Sequence, residues 1–123
     1  MRLTRKEKIN KPFESDTGER VYEMLGAPEA IGGAKGHSFS HVVIPAGCHS
    51  RPHYHPVAEE TYYILAGEGR MLVNGEEIRL VPGDALLIQP PETHQIFNDT
   101  ERDLEFIAVC APAWTPEISV YTD

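Results

Sequence analysis

The sequence has no apolar run near the roughly 18 residues that a membrane-spanning helix needs. Its first residues lack the apolar segment of a secretory signal, and no long stretch repeats apolar side chains at helical spacing. Cysteine is also scarce, because Cys48 and Cys110 are the only two. Two cysteines make no disulfide framework, so we expect reduced thiols in a cytoplasmic protein. The missing helical spacing predicts little or no helix.

Basic side chains are in the minority. The net charge of −8 at pH 7 argues against nucleic acid or an anionic membrane surface as a partner. The basic groups concentrate in residues 1–11, which hold five basic side chains and one acidic one. We therefore expect residues 1–20 to form a polar, basic N-terminal arm, which is either a solvated tail or a docking segment.

The chain consists mostly of short β-rich runs separated by turn residues, a pattern that predicts an all-β sandwich or barrel. The Asn74-Gly75 pair is its strongest hairpin signal, since a type I′ turn needs two residues with positive φ. The expected strands cover residues 20–25, 37–45, 51–55, 59–66, 70–73, 76–81, 85–89, 94–98 and 104–111. Residues 21–112 would form the barrel. The tail 113–123 would pack on it, with Trp114 on its outside or against a partner, and the glycine-rich loop 26–36 is either a lid or a surface connection.

Four side chains have the spacing of a metal site. His53 and His55 stand two residues apart, so in a strand both imidazoles project from one face. Glu60 follows on the next expected strand, and His94 opens a later strand that could return beside them. Three histidines and one carboxylate suit a divalent transition metal and leave positions open for substrate. Cys48 lies near this cluster and is either a ligand or redox group there, or a small packing residue.

The stretch from Gly47 to Gly67 resembles the first motif of the cupin family. That motif has a glycine, an H-x-H pair, a glutamate and a second glycine, and every position is matched at the family's spacing by Gly47, His53, His55, Glu60 and Gly67. The distance to Gly67 selects Glu60 as the motif glutamate over the neighbouring Glu59.

The second cupin motif is matched in part. Gly83, His94 and Asn98 fit it, while Gln89 and Pro91 replace its usual proline and glycine. The resemblance implies a double-stranded β-helix, or small jelly-roll barrel, and a homodimer, which is frequent among cupins. It places one divalent metal (iron, manganese, nickel, zinc or copper) on His53, His55, Glu60 and His94.

The period of two extends the inward face to Tyr62, two residues after Glu60, and to Arg51, two residues before His53. Tyr62 is either a proton-transfer group beside the metal or a wall residue, and Arg51 either pairs with a substrate carboxylate or forms a salt bridge at the rim. His37, His41 and His49 are weaker site candidates. The opposite face would carry Tyr54, Tyr63, Leu65, Gln95 and Phe97, an apolar surface suited to a second sheet or a second copy of the chain.

The resemblance implies a metal-dependent enzyme acting on a small polar or anionic molecule, as a dioxygenase, decarboxylase, lyase or isomerase. The alternative is a non-catalytic module that binds or senses a small molecule through the same metal. A structural or storage protein would not need the full ligand set. Turnover of a substrate separates the first two hypotheses.

Overall fold

The computed structural model describes all 123 residues, which form two antiparallel β-sheets. The strands are β1 Phe13–Glu14, β2 Arg20–Leu25, β3 Ser38–Ile44, β4 His53–Tyr54, β5 Glu59–Ala66, β6 Gly69–Val73, β7 Glu76–Leu80, β8 Ala85–Ile88, β9 His94–Phe97, β10 Leu104–Ala111 and β11 Val120–Tyr121. The only helices are single 3-10 turns at Lys6–Lys8, Glu29–Ile31 and Pro116–Ile118. None is long and apolar enough to span a bilayer. The predicted all-β fold is confirmed.

The two sheets are built by a chain that crosses between them repeatedly. One sheet has six strands in the order β1-β2-β3-β10-β5-β8, and the other has five in the order β11-β4-β9-β6-β7. From β3 to β10 the chain changes sheet at almost every connection, which is the jelly-roll arrangement. This crossing brings β4 and β9 of one sheet opposite β5 of the other, which is where the candidate ligands lie.

Most predicted strands are present with bounds within one residue of the expected ones. The strand expected over residues 51–55 is shorter, covering only His53–Tyr54, because Pro52 and Pro56 flank it and have no N–H to donate. The Asn74-Gly75 turn is confirmed, with φ of 47° and 86° at its two central residues.

Gly67, the last residue of the first motif, has a steric reason to be glycine. Its φ is 79°, and a Cβ at this position would lie 2.4 Å from the carbonyl oxygen of Asp103. Any other residue would push β5 away from the start of β10. The motif glycine thus preserves the closure of the sheet that carries Glu60.

A single apolar core fills the space between the sheets. Its buried members are Val42, Ile44, Tyr62, Ile64, Met71, Leu80, Ile88, Ile96, Leu104 and Phe106. Fully burying one such side chain stabilises a fold by roughly 1.5–3 kcal/mol. The inward face of β5 shows where the core ends, since Ile64 lies within it, Tyr62 borders it and Glu60 faces a cavity.

Both ends of the chain contribute to the wall of this cavity. The edge strand β1 pairs with β2, and β11 pairs with β4, so that Tyr121 lies opposite His53. Trp114 lines the cavity instead of the outside of the barrel, and its Nε1 donates to Ser119 Oγ at 2.8 Å. Ile31, in the glycine-rich loop 26–36, lines the same cavity.

Candidate metal centre

The four predicted ligands converge between the sheets. His53 begins β4 and pairs directly with His94, the first residue of β9 in the same sheet. His55 follows β4, whereas Glu60 lies on β5 of the opposite sheet. One nitrogen or oxygen atom from each residue lies within 4.8 Å of the others. The set is capable of holding a metal, and it draws on both sheets.

A backbone carbonyl orients each imidazole. Nδ1 donates to Arg51 O at 2.9 Å in His53, to Ile118 O at 3.0 Å in His55 and to Glu92 O at 3.1 Å in His94. A proton fixed on Nδ1 leaves the second ring nitrogen, Nε2, as the atom that faces the cluster. The acceptor for His55 comes from the C-terminal segment, so the tail helps to orient this ligand.

Nε2 of His94 is a buried nitrogen without a hydrogen-bond partner. Glu60 Oε1 lies 3.2 Å away, but the angles between the two groups do not form a hydrogen bond. A buried polar atom left unpaired costs about 1–3 kcal/mol. A metal ion at this point would use that lone pair and the Glu60 carboxylate together, so the residues present fit the metal that the donor set implies.

The electrostatics of the cluster give Glu60 and His53 the protonation states that a metal needs. Burial opposes ionisation of Glu60, but the imidazoles of His55 and His94 outweigh it and lower its pKa to about 2. Burial also disfavours charge on His55, yet the hydrogen bond to Glu60 raises its pKa above the ordinary value. Burial, followed by repulsion from His94, lowers the pKa of His53 to about 4. At neutral pH the site therefore offers an ionised carboxylate and a neutral His53 imidazole.

Three of the four ligands, His53, His55 and Glu60, lie in the wall of a cavity of about 580 Å³, while His94 is buried behind it. The volume is in the range of small-molecule sites. Tyr62 also lines the cavity, with its ring packed on Phe106 at a centroid distance of 4.4 Å. Burial, then the charge of Glu60, raises the pKa of Tyr62 well above its ordinary value, so its hydroxyl stays protonated. The structure therefore places Tyr62 in the wall, with a proton available beside the ligands.

Arg51 lies at the mouth of the cavity, but its guanidinium is already engaged. It donates to the two carboxylate oxygens of Asp123 at 3.0 and 2.8 Å and lies 3.9 Å from the centre of the Tyr121 ring. Of the two hypotheses for Arg51, the rim salt bridge is the one present in the structure. Its effect is to hold the C-terminal strand against β4.

The other candidate residues lie away from the ligands. Cys48 packs against Gly18 and the core, and the cysteine that lines the cavity is instead Cys110, opposite Glu60 in the pairing of β10 with β5. Burial, then Glu60, raises the pKa of Cys110 to about 12, so it remains a thiol. His41 hydrogen-bonds Glu105 at 2.8 Å. Nδ1 of His49 bonds Ser50 O, and His37 is exposed.

Sequence reasoning missed Glu19, which lines the cavity just before β2. The residue is half-buried, in the wall of a cavity that is open to solvent. Burial, then the nearby charge of Glu60, raises its pKa to about 7. The sequence gives only weak evidence for Glu19 as a cavity residue, since only its period-two spacing from Val21 and Glu23 links it to the inward face.

The predicted outward residues lie on two different sheets. Tyr63 and Leu65 on β5 are 46% and 43% exposed, next to Leu87 on β8 at 49%, and we call these three the apolar outer face. On the other sheet Phe97 is covered by the guanidinium of Arg70, 4.2 Å from its ring centre, and Tyr54 pairs with Val120. Only the first group forms an uncovered apolar patch.

The fold and the donor set together define a class: a double-stranded β-helix barrel with a metal-capable pocket between its sheets. Residues 40–110, more than half of the chain, match the family model for the cupin domain. The protein therefore belongs to the cupin family, as its two motifs predicted.

Comparisons with individual proteins agree with this. The chain is 37% identical to an oxalate-binding protein of Thermotoga maritima, over 76% of this chain and 85% of that protein. A predicted oxalate decarboxylase of Thermotoga maritima superposes with a TM-score of 0.76 at 30% identity, covering 89% and 98% of the two chains. A double-stranded β-helix protein of Klebsiella pneumoniae superposes at 0.75 and 18% identity, covering 94% and 97%, and shares the fold.

Proposed function

We propose that this cupin is a metal-dependent enzyme that acts on a small polar or anionic molecule. The observation that carries the proposal is the convergence of three oriented histidines and an ionised glutamate, of which His53, His55 and Glu60 line a cavity of about 580 Å³. The metal would be held by His53, His55, Glu60 and His94. Iron, manganese, nickel, zinc and copper all accept such a donor set.

A bound divalent metal would supply Lewis-acid polarisation of substrate oxygens. The remaining work falls to the chain itself. The backbone carbonyls behind the histidines keep Nε2 aimed inward, and the protonated Tyr62 offers a hydrogen-bond donor in the wall beside Glu60. Trp114 and Tyr121, from the C-terminal segment, narrow the cavity and limit the water around a bound molecule.

The reaction belongs to the group that comprises dioxygenases, decarboxylases, lyases and isomerases. The Thermotoga maritima matches support chemistry on a small oxygen-rich acid, since the sequence match is an oxalate-binding protein and the structural match is a predicted oxalate decarboxylase. A non-catalytic binding module is the second candidate, and the oxalate-binding relative is the observation that favours it.

The test is elemental analysis of the purified protein, followed by oxygen uptake and product analysis across a panel of small acids, enols and sugars. We expect one transition metal per chain and turnover of at least one compound. Metal-loaded protein that binds a compound without converting it supports the binding module instead. Protein that takes up none of the five metals contradicts both candidates.

We also propose that two copies associate through the apolar outer face. Its three large side chains are close to half exposed and adjoin each other across β5 and β8, where Thr61 pairs with Leu87. Burying such a patch against its counterpart would remove it from water.

A further inference from the structure

Among the cavity-lining side chains that are not exposed, four polar ones have no partner within the protein. Glu19, Glu23, Ser40 and Tyr62 all line the cavity, and their side chains make no hydrogen bond or ion pair with any other residue. Buried polar groups are normally hydrogen-bonded, and these four instead face the open cavity. These four are therefore available to a molecule that enters the cavity.

Three of the four belong to one row across the six-stranded sheet. Glu23 on β2 pairs with Ser40 on β3, Ser40 pairs with Ala108 on β10, and Ala108 pairs with Tyr62 on β5. Directly paired side chains on one face of a sheet lie about 5 Å apart. We call Glu23, Ser40, Ala108 and Tyr62 the polar rung. Its one apolar member is a small alanine, which leaves room between Ser40 and Tyr62.

The charge of the lining is strongly one-sided. Its carboxylates are Glu14, Asp16, Glu19, Glu23 and Glu60, and its only lysine or arginine is Arg51. That guanidinium is neutralised by its two hydrogen bonds to Asp123. Glu19 and Glu23 line the same cavity as Glu60, so a further negative charge would face all three carboxylates.

We propose that the polar rung and Glu19 recognise a small uncharged molecule with several hydroxyl groups, and that they discriminate against dicarboxylates such as oxalate. The proposal rests on the metal centre proposed above and names the substrate class for it. A hydroxyl group both donates and accepts, so different hydroxyl groups of one molecule can donate to Glu23 and accept from Tyr62, whereas a carboxylate can only accept. The indole of Trp114 and the ring of Tyr121 offer apolar surfaces to the carbon skeleton.

The expected discrimination differs from what the relatives alone would suggest. Glu60 would neutralise one of the two charges of a bound divalent cation, so a dianion would leave one negative charge in excess, facing Glu19 and Glu23. A polyol brings no charge and satisfies the unpaired groups. We infer that this cupin shares its barrel with the oxalate-binding relative and differs from it in ligand.

The experiment uses the full chain loaded with Mn²⁺, its metal content checked by elemental analysis, and calorimetric titration at pH 7.5. The probes are oxalate and three neutral polyhydroxylated molecules, called polyols here for short: D-xylose, D-ribose and myo-inositol. We expect the wild type to bind at least one polyol more tightly than oxalate. Glu19→Gln and Glu23→Gln should each tighten oxalate binding by about tenfold, since each removes a repulsive charge across a partly desolvated cavity. Ser40→Ala should weaken polyol binding several-fold.

Glu76→Gln is the matched control. It makes the same change of charge on β7, where Glu76 is exposed and outside the cavity, and it should leave both titrations unchanged. The proposal is overturned if the metal-loaded wild type binds oxalate tightly and the Glu19 and Glu23 variants bind it with the same affinity. A failure of all three polyols to bind also overturns it. A preparation that holds no Mn²⁺ counts instead against the metal centre itself, so the two failures are distinguishable.

Discussion

His53 and His94 are direct partners in the antiparallel pairing of β4 with β9, and their ring centres lie 4.3 Å apart. Two imidazoles this close cannot both carry a proton on each nitrogen without strong repulsion. Burial, followed by repulsion from His94, lowers the pKa of His53, so its ring stays neutral, which is the form that a metal accepts. The strand pairing thus positions two of the four candidate ligands.

Replacing His94 or Glu60 with alanine should remove most of the bound metal. Each substitution deletes a donor atom, and we expect metal affinity to fall by at least about 100-fold. His41→Ala is a suitable control, because His41 bonds Glu105 away from the ligands. Metal content per chain, measured by elemental analysis after dialysis, reports the effect. Unchanged stoichiometry in both site variants would contradict the four-ligand centre.

Glu19→Gln should alter how stability depends on pH. In the folded protein the pKa of Glu19 is about 7 against an ordinary 4.5, so the native state keeps a proton that the unfolded chain has already released. Stability should therefore fall as pH rises from 4.5 to 7, by on the order of 3 kcal/mol from this residue. His53 acts in the opposite direction, since its lowered pKa of about 4 makes stability rise between pH 4 and 6.5.

Urea unfolding in the presence of EDTA at pH 5 and at pH 8 measures this difference. The Glu19→Gln variant should gain stability over the wild type at pH 8 and show little gain at pH 5. Parallel curves for the two proteins across this range would mean that Glu19 titrates normally.

Tyr62→Phe should keep the metal and the fold. The ring packs on Phe106 and the hydroxyl makes no hydrogen bond within the protein, so the phenyl ring preserves the packing. If Tyr62 transfers a proton, turnover of an identified substrate should drop by roughly 10²- to 10⁴-fold. A variant with full activity would show that Tyr62 only shapes the wall.

Leu87→Lys should disrupt the proposed dimer. The substitution places a charge on the apolar outer face, whereas Ile78→Lys makes the same change at an equally exposed position, 49% in both cases, on the other sheet. Sedimentation velocity should report a dimer for the wild type and for the Ile78 variant, and a monomer for the Leu87 variant. A monomeric wild type would rule out this association.

The strands and the ligand positions were predictable because their signals are local. The spacing of His53, His55 and Glu60 within a few residues fixes which side chains can converge, and turn residues mark each strand end. Glu19 was not predicted, since its position depends on β2 joining the edge of the six-stranded sheet beside β3. Nothing in a polar N-terminal stretch indicates that register.

The salt bridge of Arg51 joins it to a residue that is far away in the sequence. Its partner Asp123 lies 72 positions along the chain, and the two meet only because β11 pairs with β4. Trp114, which was expected on the outside of the barrel or against a partner, lines the cavity instead. Such contacts come from tertiary structure, which a period-two pattern does not encode.

Ala108 has a consequence for how this barrel could change its chemistry. Its backbone is fixed by ladders to β3 and β5, while its side chain contributes only a methyl group to the middle of the polar rung. A larger residue there would change the shape of the cavity, and with it the molecules that fit, and would leave the histidines untouched. With the proposed roles, selectivity and metal capture would depend on different side chains, so that one could evolve, or be engineered, without the other.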